Sequence, residues 1–293
     1  MTAQPGLIPP PASASRPAPS LSFIGTATTL LRLGDFTLLT DPNFLHQGER
    51  AYLGRGLWSK RLTEPAMPPG GLPELDLVLL SHLHGDHFDR RASRELDHNL
   101  PIVTTRHAAR RLRLRGFGNA VALGTWEPHE VSRGGQTLRI TSMPGRHAPG
   151  PAQQLLPPVM GILVELTSES AAPGSRPFRL YITGDTLMID ELRAIPERYP
   201  DLDAAVVHVG GTKILGMLVT MDAQQGVDLV QLVRPGVAVP VHYDDYGVFR
   251  SPLSDFRAEA QRRLPVGAVR YVERGQTVAL TPLRRRRSAW RAP

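Results

Sequence analysis

The stretch that most limits the fold is "ELDLVLLSHLHGDHFDR", in which an apolar run ends in three histidines and an aspartate within six positions, His82 to His87. A short run of Leu and Val bounded by polar residues reads as a buried strand. Alternation along a strand end points His82 and His84 the same way, and the turn at Gly85 brings Asp86 and His87 round beside them. A strand that delivers such a cluster at its C-terminal end belongs in an α/β architecture, where strand ends gathered on one sheet edge carry the chemistry. Only ten histidines occur in 293 residues, so this density needs a common cause.

The chain has no cysteine, which removes disulfides, thiolate metal sites and cysteine nucleophiles. Any metal must then be held by imidazole and carboxylate, donors that suit zinc, manganese or iron. His82 and His84 can face one cation while Asp86 and His87 face a second, and each cation needs further ligands. His147 in "SMPGRHAPG", Asp185 in "YITGDT" and His242 in "VPVHYDD" each stand at a strand end and can supply them. With those three added, each metal has three protein ligands of its own and can share Asp185 as a bridge, with room left for the water a catalytic site requires. The bland alternatives are a polar turn with chance histidines and, for Asp185 alone, a helix N-cap.

Around the cluster, "LSFIGTATTLLRLGDFTLLTDP" predicts a hairpin turning at Gly34-Asp35. Further strands are expected at "PIVTT", "QTLRITSMP", "VMGILVEL", "FRLYITGD", "DAAVVHVGG", "GVAVPVHY" and "AVRYV". Helices are expected at "HAARRLRLRG", "LMIDELRAIPERY", "TMDAQQGVDLVQLVRP" and "PLSDFRAEAQRRL". Two sheets with helices outside them, a layered α/β sandwich, account for that order. The polar, Gly/Pro-rich segment from His46 to Pro73 reads as a long loop of the kind that forms a lid or substrate flap. Residues 1–20, with six prolines, read as a disordered arm, residues 21–282 as one hydrolase domain, and residues 283–293 as an arginine-rich tail.

The motif "HLHGDH", followed in order by His147, Asp185 and His242, resembles the metallo-β-lactamase superfamily over about Leu21 to Leu280. Within it, "TDPNF" and "PVHYDDY" are most similar to the N-acylphosphatidylethanolamine-hydrolysing phospholipase D and ascorbate-6-phosphate lactonase branches. The resemblance implies an αββα four-layer sandwich and a dinuclear site, commonly zinc. His82, His84 and His147 would hold one metal, Asp86, His87 and His242 the other, with Asp185 bridging and Asp41 supporting the site from behind. The missing cysteine sets the chain apart from classical β-lactamases. A nucleic-acid-processing member would need a large extra domain, and His84 stands where flavin-linked oxygen reductases typically carry glutamate.

The chemistry expected of such a site is hydrolysis by a metal-bridging hydroxide, since two cations lower the pKa of a shared water. The favoured substrate is a phosphodiester or a phospholipid-like molecule. A lactonase opening a cyclic ester is the alternative, and a non-catalytic metal-binding scaffold is a third reading from another class. Asp86 and His208 are the expected catalytic side chains, with Tyr243 and Asp244 as further proton donors or substrate contacts. Trp58 in the long loop and Arg146 beside His147 are expected to touch substrate. His46, His98, His107 and His129 read as solvated. "KILGMLVTM", from Lys213 to Met221, is apolar enough to line an acyl pocket or a homo-oligomer contact.

Composition bounds location and partners. Mean hydropathy is -0.18 and no run is long enough for a membrane span, so a cytoplasmic protein is expected. The net charge of +7 suggests nucleic acid at first sight. However, five of the arginines stand in the tail "LRRRRSAWRAP", and Lys60 and Lys213 are the only lysines, which points to a coding bias. Nucleic acid is therefore disfavoured as a partner, while a peripheral membrane contact through the tail stays open.

Overall fold

Period-two alternation sorts the apolar residues of the first half of the chain onto the two sides of one sheet. The computed structural model describes residues 18–172 and 174–281, so the tail and most of the proline-rich arm lie outside the described residues. β1 (Ser20–Gly25), β2 (Thr28–Leu33) and β3 (Phe36–Thr40) form an antiparallel meander, and the β2–β3 turn falls at Gly34-Asp35 with Leu33 opposite Phe36. A separate hairpin follows, β4 (Arg50–Gly54) and β5 (Leu57–Lys60). After it come β6 (Leu77–Leu79), α1 (Arg90–Glu95), β7 (Ile102–Thr105), α2 (Arg106–Arg113) and β8 (Ala120–Leu123). β3, β6, β7 and β8 are parallel neighbours. Leu31, Leu38, Leu77 and Leu79 face the interior between the sheets. Their chain neighbours Leu30, Leu39, Val78 and Leu80 face outward, onto Ala92 of α1 and Ala108 and Leu112 of α2. One strand thus feeds two apolar layers, the signature of a sheet covered on both faces.

The second half repeats the arrangement. β9 (Pro128–Arg133), β10 (Gln136–Met143), β11 (Gly161–Ser168) and β12 (Phe178–Ile182) are antiparallel. Next come α3 (Ala194–Arg198), β13 (Ala204–His208) and a small hairpin, β14 (Lys213–Ile214) with β15 (Met217–Leu218). They are followed by α4 (Ala223–Val233), β16 (Val237–Val241), α5 (Leu253–Arg263) and β17 (Thr277–Ala279). The second sheet runs β16-β13-β12-β11-β10-β9 and is parallel from β12 to β16, while β17 closes the first sheet beside β1. α4 packs on α5 and β13. The fold is the αββα four-layer sandwich.

Three local expectations differ from the structure. The segment from His46 to Pro73 contains the β4–β5 hairpin, whose turn at Arg55-Gly56 takes positive φ at both residues and suits a tight connection. "AVRYV" forms no strand; Val269 makes a single bridge to Ala238 at the edge of β16. "LMIDELRAIPERY" gives a 3-10 turn, Asp190–Arg193, and the five-residue α3 instead of one longer helix. Pro196 lacks the amide that a continuous helix would use at that point.

The C-terminal ends of β3, β6, β12, β13 and β16 converge on one side, carrying Asp41, His82, Asp185, His208 and His242. β3 and β16 leave their sheets through a left-handed residue, Asp41 (φ 36) and His242 (φ 60), and β12 does so two residues on at Gly184 (φ 61). A Cβ at Gly184 would lie 2.7 Å from the Met160 carbonyl oxygen and 2.9 Å from Ser81 Cβ. Gly184→Ala is therefore expected to destabilise the protein by about 2 kcal/mol or more, measured by urea denaturation. An unchanged midpoint would show that the two strand ends can part without cost.

Candidate metal centre

The motif loop after β6 is fixed before any side chain reaches outward. Ser81 donates to Asp41 Oδ1 from its backbone amide at 2.8 Å and from its hydroxyl at 2.9 Å. Gly85 donates its amide to the Tyr52 carbonyl at 2.9 Å, so close that a Cβ there would lie 2.7 Å from the Tyr52 backbone. Asp89 caps α1 by accepting from the amides of Arg91 and Ala92, each at 2.8 Å. The β4–β5 hairpin is thereby tied to the backbone of the motif.

Three groups of metal-capable side chains result, and the third, Asp41, His87 and His208, shares His87 with the second. His82, His84 and His147 form the first, with His82 Nε2 at 3.0 Å and His147 Nε2 at 3.2 Å from His84 Nδ1. The Nδ1 of His147 is bonded to the Val219 carbonyl, which fixes its tautomer and turns Nε2 inward. Asp86, His87, Asp185 and His242 form the second. There His87 Nε2 lies 3.1 Å from His242 Nε2 and 3.3 Å from Asp185 Oδ2, and His242 Nε2 lies 3.5 Å from Asp86 Oδ2. The rings of His82 and His87 are 4.2 Å apart, so the groups adjoin. All seven side chains are buried; His84, the most exposed, shows only 8% of its surface.

The donor set fits divalent cations. Ligand nitrogens about 2.0–2.1 Å from a tetrahedral zinc stand about 3.3 Å from one another, close to the separations seen here. Asp86 Oδ1 and Asp185 Oδ1 are buried with no hydrogen-bond partner, an arrangement that is costly unless a cation completes it.

Electrostatics divides the groups. Burial, followed by repulsion from neighbouring imidazoles, pushes His82 well below its usual range and His84 down to about 3. Burial lowers His147 as well. Burial opposes charge on His87 too, but Asp185, Asp41 and Asp86 outweigh it and hold that imidazole well above its usual range. Burial would raise Asp185, yet His242 and His87 keep it well below the usual carboxylate range. Asp41, also desolvated, is held down to about 2 by His87 and His208. Asp41 Oδ1 stands 3.4 Å behind His87 Nδ1, on the side away from the donors.

The other expected residues fall into two sets. Trp58 and Arg146 line a cleft of about 1100 Å³ that reaches the centre at His84 and Gly85. Trp58 packs on Tyr52 with ring centroids 4.9 Å apart, and Arg146 is ion-paired with Glu191. His208, Tyr243 and Asp244 do not line that cleft. His208 is fully buried, with Nδ1 3.0 Å from Thr183 Oγ1 and Nε2 3.7 Å from Asp41 Oδ2. A proton donor must come within hydrogen-bond reach of the leaving group, so the geometry places His208 behind the centre as a support for Asp41. Tyr243 packs on Phe23 and directs its hydroxyl at the Val272 carbonyl, and Asp244 accepts weakly from the Leu253 amide. In "KILGMLVTM", Met217 and Leu218 line a smaller pocket with Leu187, Met188 and Ile189, and Leu215 is exposed. Sequence reasoning missed Ser81, Tyr52 and Thr220, whose hydroxyl donates to Asp185 Oδ2 at 2.9 Å; Ser81, directly ahead of His82, was the one with a readable signal.

A family model for the beta-lactamase superfamily domain matches residues 37–243, a span that contains all seven donors. The chain belongs to that superfamily. It is similar to a metal-dependent hydrolase of Deinococcus radiodurans, with 29% identity over 212 residues, 69% of this chain and 79% of the relative. It is also similar to the N-acyl-phosphatidylethanolamine-hydrolyzing phospholipase D 1 of Caenorhabditis elegans, with 26% identity over 236 residues, 77% of this chain and 64% of that one. In structure it resembles the isothiocyanate hydrolase from Delia radicum gut bacteria, with a TM-score of 0.71 at 20% identity, covering 90% of this chain and 99% of the other. The metallo hydrolase of Ignicoccus hospitalis gives 0.63 at 21% identity, covering 89% and 98%. This superfamily member is a metal-dependent hydrolase with clustered histidine and aspartate donors. The expectation of a non-catalytic scaffold is thereby set aside. No helix among the described residues is long and apolar enough to cross a membrane.

The contrast between the donor groups has a measurable consequence. At pH 7 the first group is neutral, whereas His87 is an imidazolium in metal-free protein because its pKa is raised. A cation entering the second group must displace that proton, and one entering the first displaces none. Loading the second group at pH 7 is expected to release the His87 proton, and affinity there should fall about tenfold per pH unit on acidification. Calorimetry in buffers of different ionisation enthalpy measures the release; none at pH 7 would show that His87 is already neutral in metal-free protein.

Proposed function

We propose that the chain is a dinuclear metal hydrolase that cleaves an ester-type bond in a phosphodiester or phospholipid-like substrate. The supporting observation is that the only one of the seven donors to line the large cleft, His84, opens onto walls combining arginine side chains with Tyr52, Trp58, Leu155 and Leu156. An anionic ester with an apolar body complements such walls better than a neutral lactone does.

In this reading His82, His84 and His147 would hold one cation and Asp86, His87 and His242 the other, with the Asp185 carboxylate available to both. Zinc is the first expectation, with manganese or iron suited to the same donors. When bound, the pair supplies Lewis acidity, which acidifies water and polarises the attacked oxygen. The remaining work falls to the chain. Asp41 and Ser81 fix the His87 ring from behind, and His208 steadies Asp41. Thr220 orients Asp185 through its hydroxyl. Asp86, held ionised by His87 and His242 against the effect of burial, offers Oδ1 as the acceptor for a proton released at the centre. The β4–β5 hairpin shields the cleft with Tyr52 and Trp58 and so limits water there.

Metal analysis coupled to turnover of bis(p-nitrophenyl) phosphate, lactones and thioesters tests the reading. Phosphodiester hydrolysis is expected, and activity confined to lactones would transfer the assignment to the lactonase alternative. His84→Ala and Asp185→Asn should each lower turnover by at least about a hundredfold with an unchanged far-ultraviolet circular dichroism spectrum. Full activity in either variant would overturn the site.

A further inference from the structure

Cation density on the wall of the cleft exceeds what the reacting centre needs. Seven of the lining residues are arginine and a single one, Asp89, is a carboxylate. Asp89 makes no ion pair with them, because both its oxygens accept from backbone amides, Arg91 and Ala92 on Oδ1 and Phe44 and Leu45 on Oδ2. Some of the arginines have other partners: Arg90 pairs with Glu49, Arg146 with Glu191, and Arg55 donates to the Leu155 carbonyl. Arg94, Arg111 and Arg115 have no carboxylate within ion-pair distance among the described residues.

Their spacing places them together. His107, Arg111 and Arg115 follow one another at intervals of four along α2 and the turn that continues it, which stacks them on one ridge. Arg94 stands four residues after Arg90 at the end of α1, and both helices cover the same face of the first sheet. All four residues line the cleft. Like charges at that spacing weaken an isolated helix, so folding alone does not call for them. His107 Nδ1 is buried and has no hydrogen-bond partner. Burial followed by Arg111 pushes the His107 imidazole down, and the same two causes lower Arg115, as expected where cations crowd without a counter-ion.

We propose that Arg94, His107, Arg111 and Arg115 form an anion subsite on the α1–α2 wall of the cleft, which binds a phosphate group of the substrate other than the one attacked. This rests on the reading of the centre as an ester hydrolase and narrows its substrate to a molecule with a phosphate away from the scissile bond. Guanidinium forks match phosphate oxygens in pairs, and several arginines converging without carboxylates suit a dianionic monoester. Tyr52, Trp58, Leu155 and Leu156 would cover the apolar part between the two ends.

The test is calorimetric titration of the metal-loaded full chain with octyl phosphate and with inorganic phosphate. Octyl phosphate is expected to bind at one site and more tightly than inorganic phosphate. The double variant Arg111→Gln, Arg115→Gln should weaken it at least about tenfold, while Arg110→Gln, on the same helix but outside the cleft, stays within about twofold. Asp185→Asn should retain binding, which separates this subsite from phosphate held at the metals. Because a like charge is removed, the double variant should melt no lower than the parent; if it does not fold, Arg94→Gln takes its place. Unchanged binding in the cleft variants, equal loss in Arg110→Gln, or loss in Asp185→Asn alone would each overturn the subsite. Binding to phosphatidylglycerol vesicles but not to octyl phosphate would do the same, in favour of a membrane-facing surface. An intact subsite in a protein inactive on every ester would sink the hydrolytic reading and leave the subsite standing.

Discussion

The buried carboxylate of Asp41 is the interaction on which the rest depends. A fully desolvated charge is tolerated only when it is paired and hydrogen-bonded, and Asp41 meets both conditions with groups from separate strand ends. Ser81, after β6, gives it two hydrogen bonds, His87 in the same loop stands against Oδ1, and His208, ending β13 of the other sheet, stands against Oδ2. The Thr28 hydroxyl donates to its carbonyl oxygen at 2.7 Å and so holds its left-handed backbone. One side chain thus joins the two sheets at the edge where the donors gather. Loss of the carboxylate would release His87 and remove the charge that His208 Nε2 faces at 3.7 Å.

Backbone conformation at the centre carries the same message. Asp41 and His242 adopt positive φ although neither is glycine, a conformation that costs about 1–2 kcal/mol per residue. Such residues persist where surrounding contacts over-determine them. For His242 these are the amide bond to the Thr26 carbonyl, the ring of Phe249 at 4.3 Å, and His87. The strain sits at the places where a strand has to turn a donor sharply toward its partners.

Much of this was legible in the sequence, for reasons that also explain the gaps. Alternation in "TLLRL" and "LVLLSH" reports both faces of the first sheet, since each apolar residue serves one of two buried layers. The seven donors were readable because each follows an apolar strand. His208 satisfies that same pattern but is expected from sequence to be a catalytic proton donor, whereas His242 is expected to be a metal ligand. Every residue of β13 is buried, so periodicity gives no indication of which side His208 faces. The β4–β5 hairpin was hidden because only Ala51, Leu53 and Ser59 bury side chains in it, too few to raise an apolar signal above the polar background. The ridge His107, Arg111, Arg115 was visible as helical spacing, but that it shares a cleft with Arg94 depends on where α1 and α2 lie on the sheet, which neither helix encodes alone.

The division of charge between the donor groups gives the site a direction. The first group holds three neutral imidazoles, so a divalent cation there would keep more of its charge than one in the second, even with Asp185 shared between them. The second holds two carboxylates, which offset a cation's charge and lie buried beneath the centre. His84 belongs to the first group and is the donor that opens to the cleft. On the proposed reading, positive charge would then line a substrate's path from the arginine-bearing wall to the first cation. The anionic ester proposed as substrate would be drawn inward along that path by long-range attraction that salt screens. A neutral ester of the same shape gains nothing from it. Such an arrangement would select by charge before any contact is made at the reacting bond, and would do so with arginines that are not among the seven donors.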